Sequence, residues 1–389
     1  MANNNTNPER LSKSQRQIVW EQFKKHKAAL IGGIILIFMY LSAIFAGFLA
    51  PYGINEYRKF PITQFQPPTK IHWRNPDTGR LTRPFVYITK VGRDPVTRQR
   101  FYEEDPSKGI YPIKFFVHRE KTDYKILGLP FTKSDLHLFG VDEPARIFLW
   151  GTNNLGKDVF SRVLWGGQIS LSIGILAVWV SLIIGLFMGS LAGFYGGWVD
   201  DVIMRLVEIF SAIPGLFLLI VLSSLLRDPK NPLAQAFGLK MTSSQTFLMI
   251  VIVLGLVGWG GLARVIRGLI LSIREMDYAQ AAKALGASES RIMFLHLLPA
   301  TASYVIVVIT LTIPGFILQE TGLSFLGLGP SALDTSSWGL LLSDATARGS
   351  SIQFVPWLLI PGIPIFLAVL SWNLVGDGLR DAFDPKKRH

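Results

Sequence analysis

Long apolar runs separated by polar stretches dominate the hydrophobic pattern of this chain. They cover residues 28–50, 168–194, 202–226, 245–269, 300–328 and 354–375. Each run is long enough to cross a hydrocarbon core, which takes about 20 helical residues, and none alternates with the period of two that a membrane β-strand requires. Backbone polar groups in lipid must bond internally. The sequence therefore predicts an all-α polytopic membrane protein with six transmembrane helices.

Basic residues predict the orientation of these helices. Short cytoplasmic loops are rich in Lys and Arg, whereas segments longer than about 60 residues cross the membrane regardless of charge. The loop after the fourth run and its flanks carry Arg264, Arg267, Arg274, Lys283 and Arg291. The two short loops on the other side carry Arg227, Lys230, Lys240 and Arg348. We expect both termini inside, with 1–27 as a cytoplasmic N-terminal segment and 379–389 as a cytoplasmic tail.

The polar stretch 51–150 is then an extracytoplasmic insertion between helices 1 and 2. Strand-like runs at 85–91, 99–103 and 113–119 are separated by Pro, Gly and Asp, and the residues 92–96 favour a hairpin. About 100 residues can just support a small core. We predict a β-rich domain, whose role is open between docking of a delivery protein and shielding of the outer mouth.

Composition narrows the function classes. Only 17% of the residues are charged and 49% are hydrophobic, whereas a soluble protein has ~25% charged residues. The chain has no Cys, which excludes disulfides and thiolate chemistry. The net charge of +12 fits loops that face anionic lipid better than it fits a nucleic-acid surface. We expect no catalytic site, no metal and no cofactor.

Special residues within the apolar runs predict close packing and kinks. Proline interrupts several of the runs, at Pro214, Pro314, Pro361 and Pro364. Gly185, Gly189 and Gly193 share one helix face, and we expect them to pack inside the bundle rather than at a subunit interface. Glu208 is expected to pair with Arg205, one turn away. Glu320 either faces an aqueous path or bonds to a neighbouring helix. The candidates for lining a path through the membrane are Pro214, Pro314, Gln319 and Glu320.

Residues 151–158, Gly-Thr-Asn-Asn-Leu-Gly-Lys-Asp, nearly match the phosphate-binding pattern G-x-x-x-x-G-K-[ST]. The last position of that pattern needs a hydroxyl to bind magnesium, and Asp158 would instead repel phosphate. We interpret the segment as a turn followed by a short interfacial helix over 158–165 that leads into the second run.

The most informative segment covers 274–299, between the fourth and fifth runs. A helix is expected over 277–285 with Asp277 as N-cap, and Gly286 can end it in the left-handed conformation. Ser288 can cap a second helix, which Pro299 either ends or joins to the fifth run, and Ile292, Met293 and Leu295 offer it an apolar side. An exposed pair of helices at a membrane surface is typical of a docking element, although a plain connector fits the same pattern.

At these residues the chain resembles the permease subunits of ATP-binding-cassette (ABC) importers. Their coupling loop has the pattern E-A-A-x(3)-G-x(9)-I-x-L-P, in which Gln280 here replaces the Glu and His296 the Ile. The matching positions are Ala281, Ala282, Gly286, Leu298 and Pro299. The segments 150–162, 323–329, 337–339 and 373–385 resemble the dipeptide/oligopeptide/nickel branch, and the chain looks like its second permease subunit type.

The resemblance implies a permease core over 151–378 in a bacterial or archaeal cytoplasmic membrane. It implies as partners a homologous second permease subunit, two ABC ATPase subunits that hydrolyse the ATP, and an extracytoplasmic solute-binding protein. The coupling contacts would involve Gln280, Ala281, Ala282, Gly286, Leu298 and Pro299. We expect oligopeptides as cargo, with oligosaccharides as the alternative.

A secondary transporter or channel is the alternative from another class. It would need an inverted repeat within the chain or a relay of intramembrane charges. The sequence contains neither of these features.

Overall fold

The structure is a computed structural model. It describes residues 14–59, 63–76, 78–95, 100–126, 129–228, 230–232, 235, 243–329, 336–346 and 355–384. The predicted positions 1–13, 354 and 385–389, and the basic residues Lys240 and Arg348, lie outside these residues. The α-helices named in the described part are α1 (Gln15–Lys25), α2 (Lys27–Ile44), α3 (Ala46–Leu49), α4 (Val159–Tyr195), α5 (Gly197–Ala212), α6 (Gly215–Arg227), α7 (Ser243–Ile273), α8 (Asp277–Ala284), α9 (Glu289–Arg291), α10 (Leu298–Phe325), α11 (Trp338–Thr346) and α12 (Gly362–Phe383).

Five helices of the described part are long and apolar enough to cross a membrane, and a bent pair makes a sixth if it counts as one span. In the bent pair, the predicted interruption of the run 202–226 at Pro214 is a full break between two helices and not a kink within one. There α5 and α6 meet at 90°, because Pro214 lacks an N–H and its ring disfavours helical backbone at Ile213, which is extended with ψ 127°.

Two other predicted helices start elsewhere. Helix α4 begins at Val159 and runs without a break to Tyr195, so the separate interfacial helix predicted over 158–165 does not exist. Asp158 accepts a hydrogen bond from the Ser161 amide at 2.8 Å and thereby starts the long helix itself. The last helix starts at Gly362, after Pro361, so Pro361 precedes this helix and does not interrupt it.

Helices α4 and α7 pack closely along their length. A Cβ atom at Gly189 would lie 2.6 Å from the backbone oxygen of Ala263, and one at Gly193 would lie 2.7 Å from that of Arg267. Gly185 faces Leu262 in the same way. The glycine stripe is therefore an internal packing face, as predicted, because it brings the two backbones together.

Both described chain ends lie at the same end of the bundle as α8. Helix α2 runs antiparallel to α12, with Ala29 beside Gly378 and Gly32 beside Ser371. The other end of α2 meets the start of α4, where the Gln168 side chain donates to the Ala43 carbonyl at 2.9 Å. We call the end that holds α8 the coupling end, and the opposite one, where α4 starts, the insertion end.

The segment between α3 and α4 is rich in strands. They are β1 (His72–Arg74), β2 (Leu81–Val86), β3 (Ile88–Arg93), β4 (Arg100–Asp105), β5 (Tyr111–Pro112), β6 (Lys114–Ile126) and β7 (Leu129–Gly140). They pair antiparallel as β1–β2–β5, β3–β4 and β6–β7. The pair β3–β4 is the predicted hairpin, although residues 96–99 of its turn lie outside the described part. The sequence patterns did not predict β7.

Buried polar contacts attach this segment to the insertion end. The Ile147 amide donates to the Tyr52 hydroxyl at 2.9 Å, and the Trp165 indole donates to the Tyr52 carbonyl at 3.2 Å. The buried His137 ring lies 2.6 Å from the Ala50 carbonyl oxygen. The strand-rich segment and α8 therefore lie at opposite ends of α4.

Candidate functional site

Residues 274–299, the coupling segment, form a short helix, a tight turn and the start of a long helix. The chain leaves α7 at Ile273, forms α8, turns at Gly286 and becomes helical again at Glu289. Helix α9, a π-helical stretch (Ile292–Leu297) and α10 then follow one another without a gap. Pro299 lies in the first turn of α10, so it begins the fifth predicted run and does not end the helix before it.

The start of α8 differs from the prediction. Met276, in extended conformation, occupies the N-cap position, and Asp277 is the first helical residue. The Met276 amide already donates to the Ile273 carbonyl at 3.1 Å, so the end of α7 sets where α8 begins. Asp277 lies where the helix dipole favours a negative charge. Ser288 is the predicted N-cap of α9, but its side chain makes no capping hydrogen bond.

Gly286 ends α8 in the left-handed conformation, with φ +80°. The Ala287 amide donates to the Ala282 carbonyl at 3.1 Å, and the Gly286 amide donates to the Lys283 carbonyl at 3.0 Å. These two bonds define a Schellman motif. A Cβ at Gly286 would meet no atom of the described residues within 4 Å. The position therefore requires glycine for its backbone angle and not for space.

One face of α8 packs against the bundle. Ala279 is 3% exposed and belongs to an apolar cluster with Ile270, Ile273, Ile292 and Leu297. These residues come from α7, α8 and the helix that leads into α10. The cluster thus joins α8 to the ends of two long helices.

The opposite face of the coupling segment is exposed. Leu285 is 88% exposed, and Gln280, Ala281 and Pro299 are exposed as well, whereas Ala282 and Leu298 are half-buried. Met276, Tyr278, Phe294 and Leu295 add exposed apolar surface. An apolar patch of this kind at the surface marks an interaction site. The predicted apolar side is only partly correct, since Ile292 and Met293 are buried inside the chain.

Arg274 anchors the segment to α4, a role that the sequence analysis missed. Its Nη1 donates to the carbonyl of Gly193 at 2.9 Å and to that of Phe194 at 3.1 Å. Carbonyls in the last turn of a helix have no partner within it, and the helix dipole favours a cation there. Gln280 in turn donates from Nε2 to the Arg274 carbonyl at 3.1 Å, a bond that the carboxylate of a Glu could not make.

The four candidates for a path through the membrane lie in different surroundings. Pro214 is exposed at the bend between α5 and α6, Pro314 is buried inside α10, and Gln319 is half-buried. Glu320 is 0% exposed, and its carboxyl accepts hydrogen bonds from Ser170 at 2.8 Å and from Ser324 at 2.6 Å. The sequence left open whether Glu320 faces an aqueous path or bonds to a neighbouring helix, and in the structure it bonds to Ser170 of α4. The predicted Arg205–Glu208 pair is present at 2.9 Å.

The phosphate-loop lookalike is a buried turn in the structure. Lys157 is buried, with its ammonium 4.2 Å from the centre of the Tyr57 ring. Burial raises the pKa of Asp158 to about 7, although its hydrogen bonds with Ser161 act in the opposite direction. Both ionisable side chains of the turn are thus buried and make contacts within the protein.

Comparison with protein families agrees with this architecture. Residues 181–389 match the family described as "Binding-protein-dependent transport system inner membrane component". The chain belongs to this family. Residues 14–68 also match the "N-terminal TM domain of oligopeptide transport permease C". The chain is therefore a multi-pass permease of the ABC importer class, a transport subunit, and the resemblance to that family is confirmed.

Curated relatives belong to the same class. The oligopeptide transport system permease protein OppC of Bacillus subtilis is 37% identical over 257 residues, which is 66% of this chain and 77% of the relative. OppC of Haemophilus influenzae is 37% identical over 280 residues, which is 72% of this chain and 80% of the relative. The dipeptide transport system permease protein DppC of B. subtilis is 30% identical over 380 residues, covering 97% of this permease and 88% of the relative.

Proposed function

We propose that this permease forms half of the translocation path of an ATP-driven importer for oligopeptides. The cargo class is supported by the relatives, which are named oligopeptide and dipeptide permeases. A homologous second permease subunit supplies the other half of the path. The exposed Pro214 and the half-buried Gln319 are the candidates for lining it.

Two ATPase subunits drive the cycle, and one of them binds the coupling segment of this chain. The exposed face of α8 and its turn carries this proposal, because Ala281 and Leu285 leave apolar surface uncovered beside the exposed Gln280. The opposite face is packed against the bundle through Ala279. Arg274 joins the segment to α4, and the helix from Glu289 onward continues directly into α10. Movement of the docked ATPase is thereby transmitted to two long helices.

The complex lies in a bacterial or archaeal cytoplasmic membrane, with the coupling end inside. The insertion end then faces outward, where a solute-binding protein delivers the cargo. The basic residues of the coupling end, such as Arg264 and Arg291, support this orientation.

The test is uptake by proteoliposomes that contain this permease, its partner permease and the ATPases. The loaded binding protein is added outside the vesicles, to complexes whose insertion end faces outward. Labelled oligopeptides should accumulate only with ATP inside, and labelled oligosaccharides should not. Vesicles that lack the ATPase subunits are the control. Peptide flux without the ATPase subunits would contradict the ATP-driven mechanism. Accumulation of oligosaccharides but not of peptides would show that the cargo is an oligosaccharide and contradict the proposed cargo class.

A further inference from the structure

Helix α11 is held firmly at the insertion end against α4 and α10. A Cβ at Gly339 would lie 2.2 Å from the Thr321 carbonyl oxygen, so the backbones of α11 and α10 are in contact. The buried Trp338 donates from its indole to the Val163 carbonyl of α4 at 3.0 Å. Close packing alone accounts for these contacts.

A buried carboxyl lies at the point where the three helices meet. The carboxyl of Glu320, on α10, accepts hydrogen bonds from Ser170 on α4 and from Ser324 on α10. Ser337 directly precedes α11, and its hydroxyl accepts the Leu340 amide at 3.3 Å. Ser170 also accepts the Trp338 amide at 3.2 Å. Glu320, its partners Ser170 and Ser324, and the neighbouring Ser337 are fully buried.

Such a cluster is costly unless every group in it has a partner. A buried carboxyl without hydrogen bonds is strongly unfavourable, whereas an apolar side chain would fill the same space without that cost. Hydroxyls from α4 and α10 bind this one group, and the hydroxyl from α4 also accepts the first amide of α11. The arrangement thus provides directional bonds between the elements in addition to packing.

The far end of α11 is fastened as well. The Asn153 amide, in the turn before α4, donates to the Asp344 carboxylate at 2.8 Å. Just before α11, the Ser336 hydroxyl donates to the Arg162 carbonyl at 3.1 Å. Helix α11 is therefore bonded to the start of α4 on both sides of the Glu320 cluster.

We infer that Glu320 is a positioning residue that joins α10 to α4 and, through Ser170, to α11, so that the three helices move as one unit during transport. The last turn of α4 is bound by the Arg274 side chain, and α10 begins in the coupling segment. The unit therefore extends from the coupling end to the insertion end. The role in transport rests on the proposed function, whereas the tie itself does not.

The absence of Cys from the chain makes the tie measurable. Ala345, on α11, is 1% exposed, so the thiol of an Ala345→Cys variant should react slowly with a membrane-impermeant maleimide. In the complete complex, adding Ser170→Ala cuts the bonds from α4 to Glu320 and Trp338 and should speed labelling of this subunit on the order of tenfold. Ser324→Ala removes an equally buried hydroxyl from the same carboxyl, but within one helix, and should leave the rate unchanged.

The paired serines decide the outcome. Equal acceleration by both substitutions, or none by Ser170→Ala, would overturn the positioning role. If Ser170→Ala does not accumulate in the membrane, Glu320→Ala removes the acceptor of the Ser170 hydroxyl and serves in the same comparison. Glu320→Gln, which keeps one acceptor oxygen, should label at a rate between those of the wild-type residue and Glu320→Ala.

Uptake adds a second readout. Ser170→Ala should lower the maximal rate of peptide uptake and leave the half-saturating concentration of the loaded binding protein unchanged, because the docking surface is intact. The labelling rate needs no cargo. A complex that transports no peptide would therefore contradict the proposed function while the labelling still tests the tie.

Discussion

At the scale of single residues, the coupling segment depends on one backbone angle and one anchoring side chain. Gly286 has the left-handed φ that closes the Schellman motif, and Arg274 holds the last carbonyls of α4. The first could be predicted because glycine at a helix end is a local signal. The second could not, because its partner Gly193 lies 81 positions away in the sequence.

Replacement of Gly286 by Val should uncouple the permease from its ATPases. A β-branched residue is strained at φ +80°, and the left-handed conformation costs even ordinary residues about 1–2 kcal/mol. We expect peptide-stimulated ATP hydrolysis by the reconstituted complex to fall roughly tenfold.

The matched control for this substitution is Gly268→Val. Gly268 is exposed on α7, and a Cβ there would meet no atom within 4 Å. This variant should retain the stimulated hydrolysis. Normal hydrolysis in the Gly286→Val complex would show that the turn is not needed for coupling.

At the scale of elements, helix contacts separate the rigid parts of the bundle from the bent one. Helices α4 and α7 are joined along the glycine stripe, whereas α5 and α6 are separated by the bend at Pro214. The sequence pattern identified the proline and the glycines. The 90° angle of the bend depends on how α6 packs against the bundle, since its own Leu219 is buried in the main core.

Gly189→Ala should destabilise the bundle by about 1–3 kcal/mol, the usual cost of overpacking. The new Cβ would lie 2.6 Å from a backbone oxygen, and a backbone atom within a helix cannot move aside as a flexible side chain can. The measurement is the midpoint of thermal unfolding in detergent, which should fall.

Gly261→Ala provides the comparison for the packing effect. A Cβ at Gly261 on α7 has nothing within 4 Å, so the alanine should be neutral or slightly stabilising through its higher helix propensity. An unchanged midpoint for Gly189→Ala would mean that α4 and α7 can separate at no cost.

At the scale of the whole molecule, the two functional ends are joined by continuous helices. Helix α4 carries the strand-rich segment at its start and holds Arg274 at its end, while α10 runs from the coupling segment to Glu320. This arrangement is why the proposed coupling and the proposed positioning role belong to one rigid path.

The orientation of the molecule can be tested with single thiols, because the native chain has no Cys. Lys108, in the strand-rich segment, and Ser290, in the coupling segment, are both exposed. In intact cells a membrane-impermeant maleimide should label Lys108→Cys, and it should label Ser290→Cys only after the membrane is opened. The reverse pattern would place the coupling segment outside and contradict the ATPase contact.

The sequence by itself determined the features that local physics controls. Apolar runs of sufficient length specify helices in lipid, Pro214 specifies a break, and Gly286 specifies a turn, because each depends only on neighbouring residues. Only the tertiary structure decided which groups meet across the bundle. Ser170 and Glu320 are 150 positions apart, and no pattern in the chain pairs them. Their contact follows from how whole helices pack, since long-range packing selects partners that local preferences leave open.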